Sequence, residues 1–347
     1  MPEASDKPFV SVVIPVLNEA EFIERAVRSL LENDYLAERM EILVVDGRSE
    51  DETRDIVNRL SHEDPRVHLL DNPHRIQACA MNVGIKAAKG DVIIRLDGHA
   101  AAAPDFVSQV VRVLQEHPEV WCAGGVMETV GLTYAGRVIA AAMSCPIGVG
   151  GRNFRLGRRK GYIESVPFGA HRREAFQKAG LFDEELSRNE DDEHIQRMLE
   201  AGGKFYMDPS IRSQYFSRAS FWKLAKQYLQ YGFWRIRTIQ KRGHPAAPRQ
   251  LLPLGFVVGW AVLIVGSLLW HPLVYALVAY GSVYGVVLLA GATEIAIRKG
   301  LSVAILAPFA IAIMHFSYGL GSLRGIWSWG ILRGRFVPKR KDYPLTR

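Results

Sequence analysis

The chain has 347 residues, 48% of them hydrophobic and 23% charged, with a formal net charge of +7. This length allows a large soluble domain with a full core and leaves residues for a further region. The charge does not predict a nucleic-acid partner, because many basic residues lie beside long apolar segments in the last third of the chain. These are Arg235, Arg237, Lys241, Arg242, Arg249, Arg298, Lys299, Arg324, Arg333, Arg335, Lys339, Arg340 and Lys341.

The N-terminal residues, MPEASDKP, are polar and do not resemble a secretory signal. We therefore expect the N-terminal domain to remain in the cytoplasm. Cys79, Cys122 and Cys145 lie among small and apolar neighbours without the spacing of metal ligands, which indicates reduced packing residues.

Strand-like and helix-like segments alternate along the N-terminal part of the chain. Short apolar, β-branched runs predict strands at residues 9–16, 40–47, 66–72 and 91–97. Helical spacing of apolar residues predicts helices at residues 19–33, 50–63, 75–90 and 104–117. This alternation predicts an α/β domain with a doubly wound, mostly parallel sheet, in which ligands bind at the carboxyl ends of the strands.

Polar residues follow three of the predicted strands. Asn18 and Glu19 follow the first, Asp46 ends the second, and Asp97 and His99 end the fourth. A helix cap or a turn explains any one of them alone, but their coincidence on one rim favours a ligand site. The sequence contains neither the glycine motif of dinucleotide-binding folds nor the P-loop motif, which argues against a Rossmann dehydrogenase.

Four blocks of sequence occur in the order typical of family 2 glycosyltransferases. They are VSVVIPVLNEAEFIERAVRSLL, EILVVDGRSEDETRDIV, NVGIKAAKGDVIIRLDGHA and VPFGAHRREAFQKAGLFDEELSRNEDDEHIQRMLEAGGKFYMDPSI. Over residues 8–240 the chain resembles this family, whose nucleotide-sugar domain has the GT-A fold. The motifs DGHAAAAPDFV, GVGGRNFR, RNEDDEH and QYLQYGFW are most similar to the membrane-associated exopolysaccharide branch, of the succinoglycan-biosynthesis glucosyltransferase type.

The resemblance implies a binding site for a UDP-sugar at these strand ends. Asp46 would accept the N3–H of uracil, although Gly47 stands where the family often has a second acid, and the carboxylate of Glu19 is suited to ribose hydroxyls. The other donor-binding residues implied are Pro15 and Asn18 in the uridine loop, and Arg75 and Asn82 near the diphosphate or sugar. A surface arginine is an equal alternative for Arg75.

Asp97-Gly98-His99 occupies the place of the family's Asp-x-Asp motif. The group at this place binds a divalent cation that neutralises charge on the departing nucleoside diphosphate. Asp97 and His99 are therefore the implied metal ligands. Because imidazole suits softer ions than Mg²⁺, the histidine favours Mn²⁺ over Mg²⁺. The alternative is a turn that carries a hydrogen-bonding histidine.

The run SRNEDDEHIQRML resembles the acidic motif of the family's acceptor half. Asp191 is the implied base that removes the acceptor hydroxyl proton, and Glu190 and Glu193 orient neighbours or pair with Arg197. Carboxylates in the first turn of a helix stay ionised because they face its positive end. One base opposite the leaving group implies inversion at the anomeric carbon. The alternative is an ordinary acidic first turn.

Two later segments carry further acceptor features. Residues 221–242 predict an amphipathic helix on the membrane surface, and QYLQYGFW resembles the Gln-x-x-Arg-Trp element whose tryptophan, here Trp234, stacks on the acceptor sugar. The arginine of that element is missing, and simple packing is the alternative. A glycine-rich loop at residues 148–169 suits an anionic acceptor, with a solvated loop as the alternative; its basic residues are Arg152, Arg155, Arg158, Arg159 and Lys160.

Composition divides the chain into four regions. We predict a catalytic domain at residues 1–218, an interfacial helix and linker at 219–249, transmembrane helices at 250–323 and a basic tail at 324–347. The apolar segments lie at about 251–270, 272–292 and 301–323, each long enough to span a bilayer. Positive flanks favour a cytoplasmic catalytic domain, and Pro308 suggests that the third segment is bent or re-entrant.

These features predict a multi-pass protein of the bacterial inner membrane. The predicted activity is inverting, metal-dependent transfer of a hexose, with glucose from UDP-glucose favoured, to a polyprenyl-diphosphate-linked saccharide in exopolysaccharide biosynthesis. Its partners would be the UDP-sugar, the lipid-linked acceptor and membrane lipid. One alternative is a processive polysaccharide synthase, for which two or three apolar segments are few. The other is a non-catalytic, membrane-anchored nucleotide-binding scaffold, against which the intact set of acids argues.

Overall fold

The computed structural model describes residues 7–150, 160–217 and 219–331. Within the predicted basic loop, Arg152, Arg155, Arg158 and Arg159 lie outside the described residues, as does the tail after residue 331. The chain forms two compact units. The first contains Met1–Glu128 and Asn153–Phe216, and the second contains Thr129–Arg152 and Ser217–Arg347.

The first unit is an α/β domain, as the alternating pattern predicts. Its strands are β1 (Val10–Val16), β2 (Met40–Asp46), β3 (Val67–Asp71), β4 (Val92–Arg95), β5 (Ala100–Ala102), β6 (Cys122–Val130), β7 (Gly161–Ile163), β8 (Ala170–Arg172) and β9 (Phe205–Phe216). Its first four helices are α1 (Ile23–Leu31), α2 (Thr53–Glu63), α3 (Gln77–Ala87) and α4 (Phe106–Glu116). Helices α5 and α6 belong to the second unit. The last two helices of the first unit are α7 (Arg173–Ala179) and α8 (Glu190–Glu200).

The nine described strands form one mixed sheet. Its order is β3-β2-β1-β4-β8-β6-β9-β5, with β7 paired to β9. The pairs of β1 with β2, β2 with β3 and β1 with β4 are parallel, whereas β8, β5 and β7 pair antiparallel with their partners. The sheet is thus parallel only in its first half. The sequence pattern missed β5, β7 and β8 because they have three residues each, too few to show alternation, and it also missed the longer strands β6 and β9.

The parallel half is buried on both faces. All seven residues of β1 and of β2 are buried, which fits strands covered by helices on each side. Helix α1 packs with a single apolar face, formed by Ile23, Ala26, Val27 and Leu30. Helix α3 approaches β1 so closely that a Cβ on Gly84 would lie 2.3 Å from Cγ1 of Val13. Burial of Ile23, Val27 and Leu30 contributes about 1.5–3 kcal/mol each.

Two histidines belong to the core of the second half of the sheet. His194 stacks on Phe182 at 4.2 Å between ring centroids, and its Nε2 lies 2.9 Å from the carbonyl of Gly180. His171 lies in β8, tilted against Phe176. Burial, the largest cause, lowers the pKa of His194 to about 3 and that of His171 to about 4. Both imidazoles are therefore neutral structural groups at pH 7.

Acid should open this half of the domain. In the unfolded chain a histidine takes up a proton near pH 6.5, so the depressed pKa values stabilise the fold above that pH, and the stabilisation is lost as the pH falls towards 4. We expect a loss of about 2 kcal/mol per histidine at pH 5. Hydrogen-exchange protection factors of residues 170–200 measure this, and His194→Gln should reduce the pH slope by about half. An unchanged slope in that variant would contradict the assignment.

The second unit consists of helices. These are α5 (Tyr134–Met143), α6 (Pro146–Val149), α9 (Phe221–Arg242), α10 (Leu252–Leu269), α11 (Leu273–Lys299), α12 (Leu301–Ala304) and α13 (Ala307–Gly325), followed by a π-helical turn at Ile326–Ile331. In the described residues, three helical stretches are long and apolar enough to span a membrane: Pro248–Leu269, Leu273–Lys299 and Leu301–Gly330. This indicates a membrane protein. Pro308 lies in the first turn of α13, where its missing N–H costs nothing, so it begins that helix.

Helix α9 packs lengthwise on α13. A Cβ on Gly232 would lie 1.9 Å from the carbonyl oxygen of Tyr318, and one on Gly321 would lie 2.0 Å from that of Leu229. The helix predicted to lie on the membrane surface therefore buries one face against an apolar helix. Trp234 is 4% exposed, with its ring 5.5 Å from that of Trp329 in the π-helical turn.

Candidate active site

The strand ends of the parallel half meet at one edge of the sheet. The register places Val16 opposite Asp46, Asp46 opposite Asp71, and Val13 opposite Arg95. The polar residues that follow β1, β2 and β4 therefore come together, as the sequence predicts for strands that run parallel. Pro15 is a buried member of β1 directly behind this edge.

Asp46 forms the first corner of the edge. Its carboxylate is fully buried and accepts hydrogen bonds from the Ser49 hydroxyl (2.5 Å) and from Nη1 of Arg54 (2.8 Å). Asn18, in a left-handed conformation (φ 56°), accepts from the backbone N–H of Glu50, and its own N–H donates to Ser49. Ser49 thus links the loops after β1 and β2 and fixes the orientation of the Asp46 carboxylate.

Glu19 joins this corner to the next. Its carboxylate is buried, and Oε1 lies 3.4 Å from Nδ1 of His99. Gly98 allows this approach, because a Cβ there would lie 2.8 Å from Val16 Cγ1 and 3.2 Å from Glu19 Cγ. The His99 ring also meets Tyr215 edge-on at 4.7 Å. The structure therefore pairs two residues to which the sequence assigns separate roles, ribose contact for Glu19 and metal ligation for His99.

Asp97 forms the second corner, at 17% side-chain exposure. Its Oδ1 accepts from Nε2 of Gln77 and from Nε of Arg95, both at 3.2 Å, whereas Oδ2 accepts from no described residue. Burial favours the protonated acid, but the charges of Arg95 and His99 outweigh it and lower the pKa of Asp97. Asp97 is therefore an ionised carboxylate with one oxygen available for a ligand.

The first turn of α8 brings the acid pair to the same edge. Asn189, left-handed at φ 60°, precedes the helix. Glu190 is buried, with Oε1 3.7 Å from Nη1 of Arg95, while Asp191 is half-buried and its Oδ1 accepts from the N–H of Asp192. Burial, reinforced by Asp191, raises the pKa of Glu190 to about 7 despite Arg95. The more exposed Asp191 is thus the better placed of the two to meet a second substrate.

Sequence reasoning missed Arg95, the cation that lies between these acids. Its side chain is only 15% exposed, and the carboxylates of Asp97, Asp191 and Glu190 raise its pKa against the effect of burial, so the guanidinium stays charged. A signal was present, since a charged residue inside the apolar run VIIRLD is costly to bury without partners. Gln77, Ser49 and Arg54 carried no comparable signal.

Asn82 and Arg75 contact protein groups. The Asn82 amide donates to the carbonyl of Phe182 and to Glu184, and its oxygen accepts from the Phe182 N–H. Nη2 of Arg75 donates to Glu50 at 2.9 Å, from a left-handed residue (φ 61°) at 42% side-chain exposure. Asn82 thus holds the loop before α8 to α3, and the contacts of both residues with the donor remain predictions.

Replacing Asn82 should distinguish its structural role in holding the loop before α8 from its predicted contact with the donor. We expect Asn82→Ala to cost about 2–4 kcal/mol of stability, because the buried N–H and C=O of Phe182 lose their partners. Urea unfolding measures that loss, and the KM for the donor measures substrate contact. A raised KM at unchanged stability would instead support the predicted sugar contact.

Two further predicted residues have identified partners. Glu193 accepts a 2.7 Å bond from Nε of Arg197, which also donates to the carbonyls of Ala179 and Leu181, so the predicted pairing with Arg197 is present. Trp234 belongs to the second unit and is buried beside Phe233 and Trp329. Its stacking on an acceptor sugar remains a prediction.

Two of the predicted site residues could hold a metal. In the part of the chain that the structure describes, no group of three or more His, Cys, Asp or Glu side chains is arranged to hold an ion. Asp97, with its ionised carboxylate and available Oδ2, fits a hard cation, and the imidazole of His99 beside it fits Mn²⁺. Further ligands would have to come from a bound substrate.

Comparison with solved structures identifies the fold. The chain is similar to the mannosyltransferase PcManGT from Pyrobaculum calidifontis, in complex with GDP-Man and Mn²⁺, with a TM-score of 0.58 over 94% of this chain and 90% of that chain at 19% identity. Residues 1–349 of S. aureus TarS in complex with UDP give a TM-score of 0.51 over 93% and 92% of the two chains at 14% identity. The predicted GT-A fold of glycosyltransferases is therefore confirmed.

Sequence relatives identify the family. The chain is 33% identical over 320 residues to succinoglycan biosynthesis protein ExoA from Rhizobium meliloti, covering 90% of this chain and 93% of the relative. It is 26% identical over 325 residues to a dolichyl N-acetyl-alpha-D-glucosaminyl phosphate diacetamido-dideoxyglucuronosyltransferase from Methanococcus voltae, covering 92% and 97%. The profile of glycosyl transferase family 2 matches residues 11–180. The chain belongs to glycosyl transferase family 2, and its predicted class of enzyme is confirmed.

Proposed function

We propose that this enzyme is an inverting, cation-dependent hexosyltransferase that uses a UDP-sugar, with UDP-glucose as the first candidate, and a polyprenyl-diphosphate-linked saccharide as acceptor in exopolysaccharide biosynthesis. One observation carries the proposal. Asp97 and the acid pair Glu190–Asp191 converge on the guanidinium of Arg95 at the carboxyl edge of the sheet. Groups suited to a diphosphate-bound cation and to a general base are therefore neighbours.

The Asp46 corner supports a uridine nucleotide as donor. The buried carboxylate is oriented by Ser49 and Arg54, yet each carboxylate oxygen can accept more than one bond, so an N–H of the base can still be received. A Cβ on Gly47 would lie 3.3 Å from the Cα of Arg75, which leaves little room for the second acid that the family often has there. The structure of TarS contains UDP.

The Asp97 corner supports a divalent cation, with Mn²⁺ favoured over Mg²⁺. A bound cation would neutralise charge that develops on the leaving diphosphate. Oδ2 of Asp97 and the His99 ring would be its protein ligands, with Glu19 holding that ring through Nδ1. Gln77 would keep the Asp97 carboxylate oriented through Oδ1, the oxygen that Arg95 also contacts in this structure. The structure of PcManGT contains Mn²⁺.

Asp191 would act as the single base. Its neighbour Glu190 is buried against Arg95, and burial, reinforced by Asp191, raises its pKa. Asp191 is half-buried, so its carboxylate can receive the proton of an acceptor hydroxyl. A single base that activates the acceptor hydroxyl would correspond to direct displacement with inversion.

The apolar helices support a lipid-linked acceptor at a membrane. Basic residues flank them at Arg249, Arg298 and Lys299, which favours the inner face of the cytoplasmic membrane for those ends and for the catalytic unit. The Methanococcus voltae relative is named as acting on a dolichyl phosphate sugar. A shorter match, 31% identical over 115 residues, is an undecaprenyl-phosphate 4-deoxy-4-formamido-L-arabinose transferase of Pseudomonas syringae.

A donor screen tests the proposal. Detergent-purified full-length protein is incubated with Mn²⁺, a bacterial polyprenyl-lipid extract and a panel of UDP- and GDP-sugars, and products are analysed by mass spectrometry. We expect one hexose to be added, with UDP-glucose the best donor. A ladder of products would instead indicate a processive synthase, and UDP binding without transfer from any donor would indicate a scaffold. Failure to bind UDP with Mn²⁺ would reject the proposal.

A further inference from the structure

Arg95 lies near two acidic groups but forms a short ion pair with neither of them. Its Nε lies 3.2 Å from Oδ1 of Asp97, and its Nη1 lies 3.7 Å from Oε1 of Glu190. In a well-formed arginine–carboxylate pair the N–O distance is shorter, at about 2.7–2.9 Å, and the contact is often bidentate. The same domain contains such a pair, because Nε of Arg197 lies 2.7 Å from Glu193. The Arg95 guanidinium is thus shared between two sites.

The charges around Arg95 are unbalanced. The carboxylates of Asp97, Glu190 and Asp191 all act on this one guanidinium, and Arg188 adds a second positive charge that acts on Asp97 and Glu190. A divalent cation at Asp97 would satisfy that carboxylate and repel the guanidinium. The remaining attraction on Arg95 would come from Glu190 and Asp191, on the other side.

The hydrogen bonds of Asp97 permit such a change of partner. Gln77 donates to the same Oδ1 that Arg95 contacts, so this oxygen keeps one donor when Arg95 moves away. Nη1 needs to close less than 1 Å to reach hydrogen-bond distance from Glu190, starting from 3.7 Å.

We propose that Arg95 is a positioning residue that couples the two halves of the reaction: the guanidinium turns from Asp97 towards Glu190 and Asp191 when Asp97 takes a cation with the donor diphosphate. This inference rests on the proposed function. It makes donor binding the event that fixes the acid pair before the acceptor arrives. Because coupling between two sites is reciprocal, the acid pair must in turn affect affinity for the cation and nucleotide.

A double-mutant cycle on binding tests the coupling. UDP affinity in the presence of Mn²⁺ is measured by calorimetry at pH 8 for the full-length protein, Arg95→Gln, Glu190→Gln and the double variant. With Arg95 present, we expect Glu190→Gln to weaken UDP–Mn²⁺ binding about five- to tenfold, since the guanidinium then stays on Asp97. In the R95Q background, Glu190→Gln should weaken UDP–Mn²⁺ binding less than about twofold.

Direct attraction between Glu190 and the cation predicts the opposite order. Without the arginine to screen that attraction, Glu190→Gln would weaken UDP–Mn²⁺ binding as much in the R95Q background as in the unmodified protein, or more. This result would overturn the proposal. Arg95→Lys covers the case in which R95Q fails to fold. A lysine ammonium is a point charge without the guanidinium fork whose Nε and Nη1 reach Asp97 and Glu190, so the loss of affinity caused by Glu190→Gln should fall to about two- to threefold. An undiminished cost in R95K would also overturn the proposal.

A matched arginine controls for general loss of charge. Arg112 on α4 pairs with Glu116 and lies 3.4 Å from Asp208, away from the strand-end edge. Arg112→Gln should leave both the affinity and the effect of Glu190→Gln unchanged. If the unmodified protein does not bind UDP with Mn²⁺, the proposed function fails. If it binds but the cycle is additive, only the coupling fails.

Discussion

Asp191→Asn is expected to lower kcat about 10³-fold, far more than the change in UDP–Mn²⁺ affinity that follows from removing one of the two acids that attract Arg95. A positioned general base contributes about 10²–10⁴-fold to a rate, and the amide cannot accept the acceptor hydroxyl proton. The geometry around the site should persist, because asparagine retains the Oδ1 atom that accepts the Asp192 N–H. Initial rates of transfer measured by mass spectrometry, with calorimetry for UDP binding, separate the two effects.

Two neighbouring acids serve as controls for this substitution. Asp192→Asn, one residue further along the first turn of α8, should reduce kcat less than about threefold, because no role in proton transfer is proposed for it. Glu190→Gln should remove any inflection that the raised pKa of this acid adds to the kcat profile. If Asp191→Asn stays active while Glu190→Gln is inactive, the base is Glu190 and the proposed assignment is wrong.

Asp97→Asn is expected to abolish stimulation by divalent cations and to lower kcat/KM about 10³-fold. The amide is a weaker cation ligand than a carboxylate, and the charge that faces the diphosphate–cation pair is lost. Removal of cations with a chelator should inactivate the unmodified enzyme to a similar degree, and adding Mn²⁺ should restore that enzyme but not the variant. Rates across a Mn²⁺ titration measure this difference.

The neighbouring histidine and a distant aspartate sharpen this test. His99→Asp should retain activity and shift the preferred cation from Mn²⁺ towards Mg²⁺, if the imidazole is a ligand. Asp105→Asn changes an acid just before α4 whose carboxylate accepts from the Gln109 side chain, and it should leave the Mn²⁺ dependence unchanged. Full activity of Asp97→Asn without added cation would contradict the proposed metal corner.

The sequence predicted the parallel half of the sheet and the edge at which its polar residues gather. Apolar runs and helical spacing are local signals, and the parallel class follows from their alternation, so the ends of β1, β2 and β4 could be assigned without coordinates. The antiparallel half could not be assigned in the same way. Its three-residue strands are held by long-range partners, such as β8 between β4 and β6, that no local pattern records.

In the membrane-associated unit, too, local sequence patterns identified segments but not the residues that pack against them. Hydropathy alone identified three apolar segments, and the helices Leu252–Leu269, Leu273–Lys299 and Ala307–Gly325 correspond to them. Hydropathy did not show that Thr129–Arg152 belongs with those helices. His315 demonstrates the membership, because its Nε2 lies 2.9 Å from the carbonyl of Ile147 across 168 residues of sequence.

By itself, the sequence determined the class of this enzyme and identified Asp46, Asp97 and Asp191 as candidate residues, because strand ends, caps and motif order are encoded over short distances. Only the tertiary structure decided which of these residues act on one another. It paired Glu19 with His99, and it placed Arg95 between Asp97 and Glu190. These contacts join residues up to 95 positions apart, and electrostatic interaction depends on distance in space, which the order of residues does not contain.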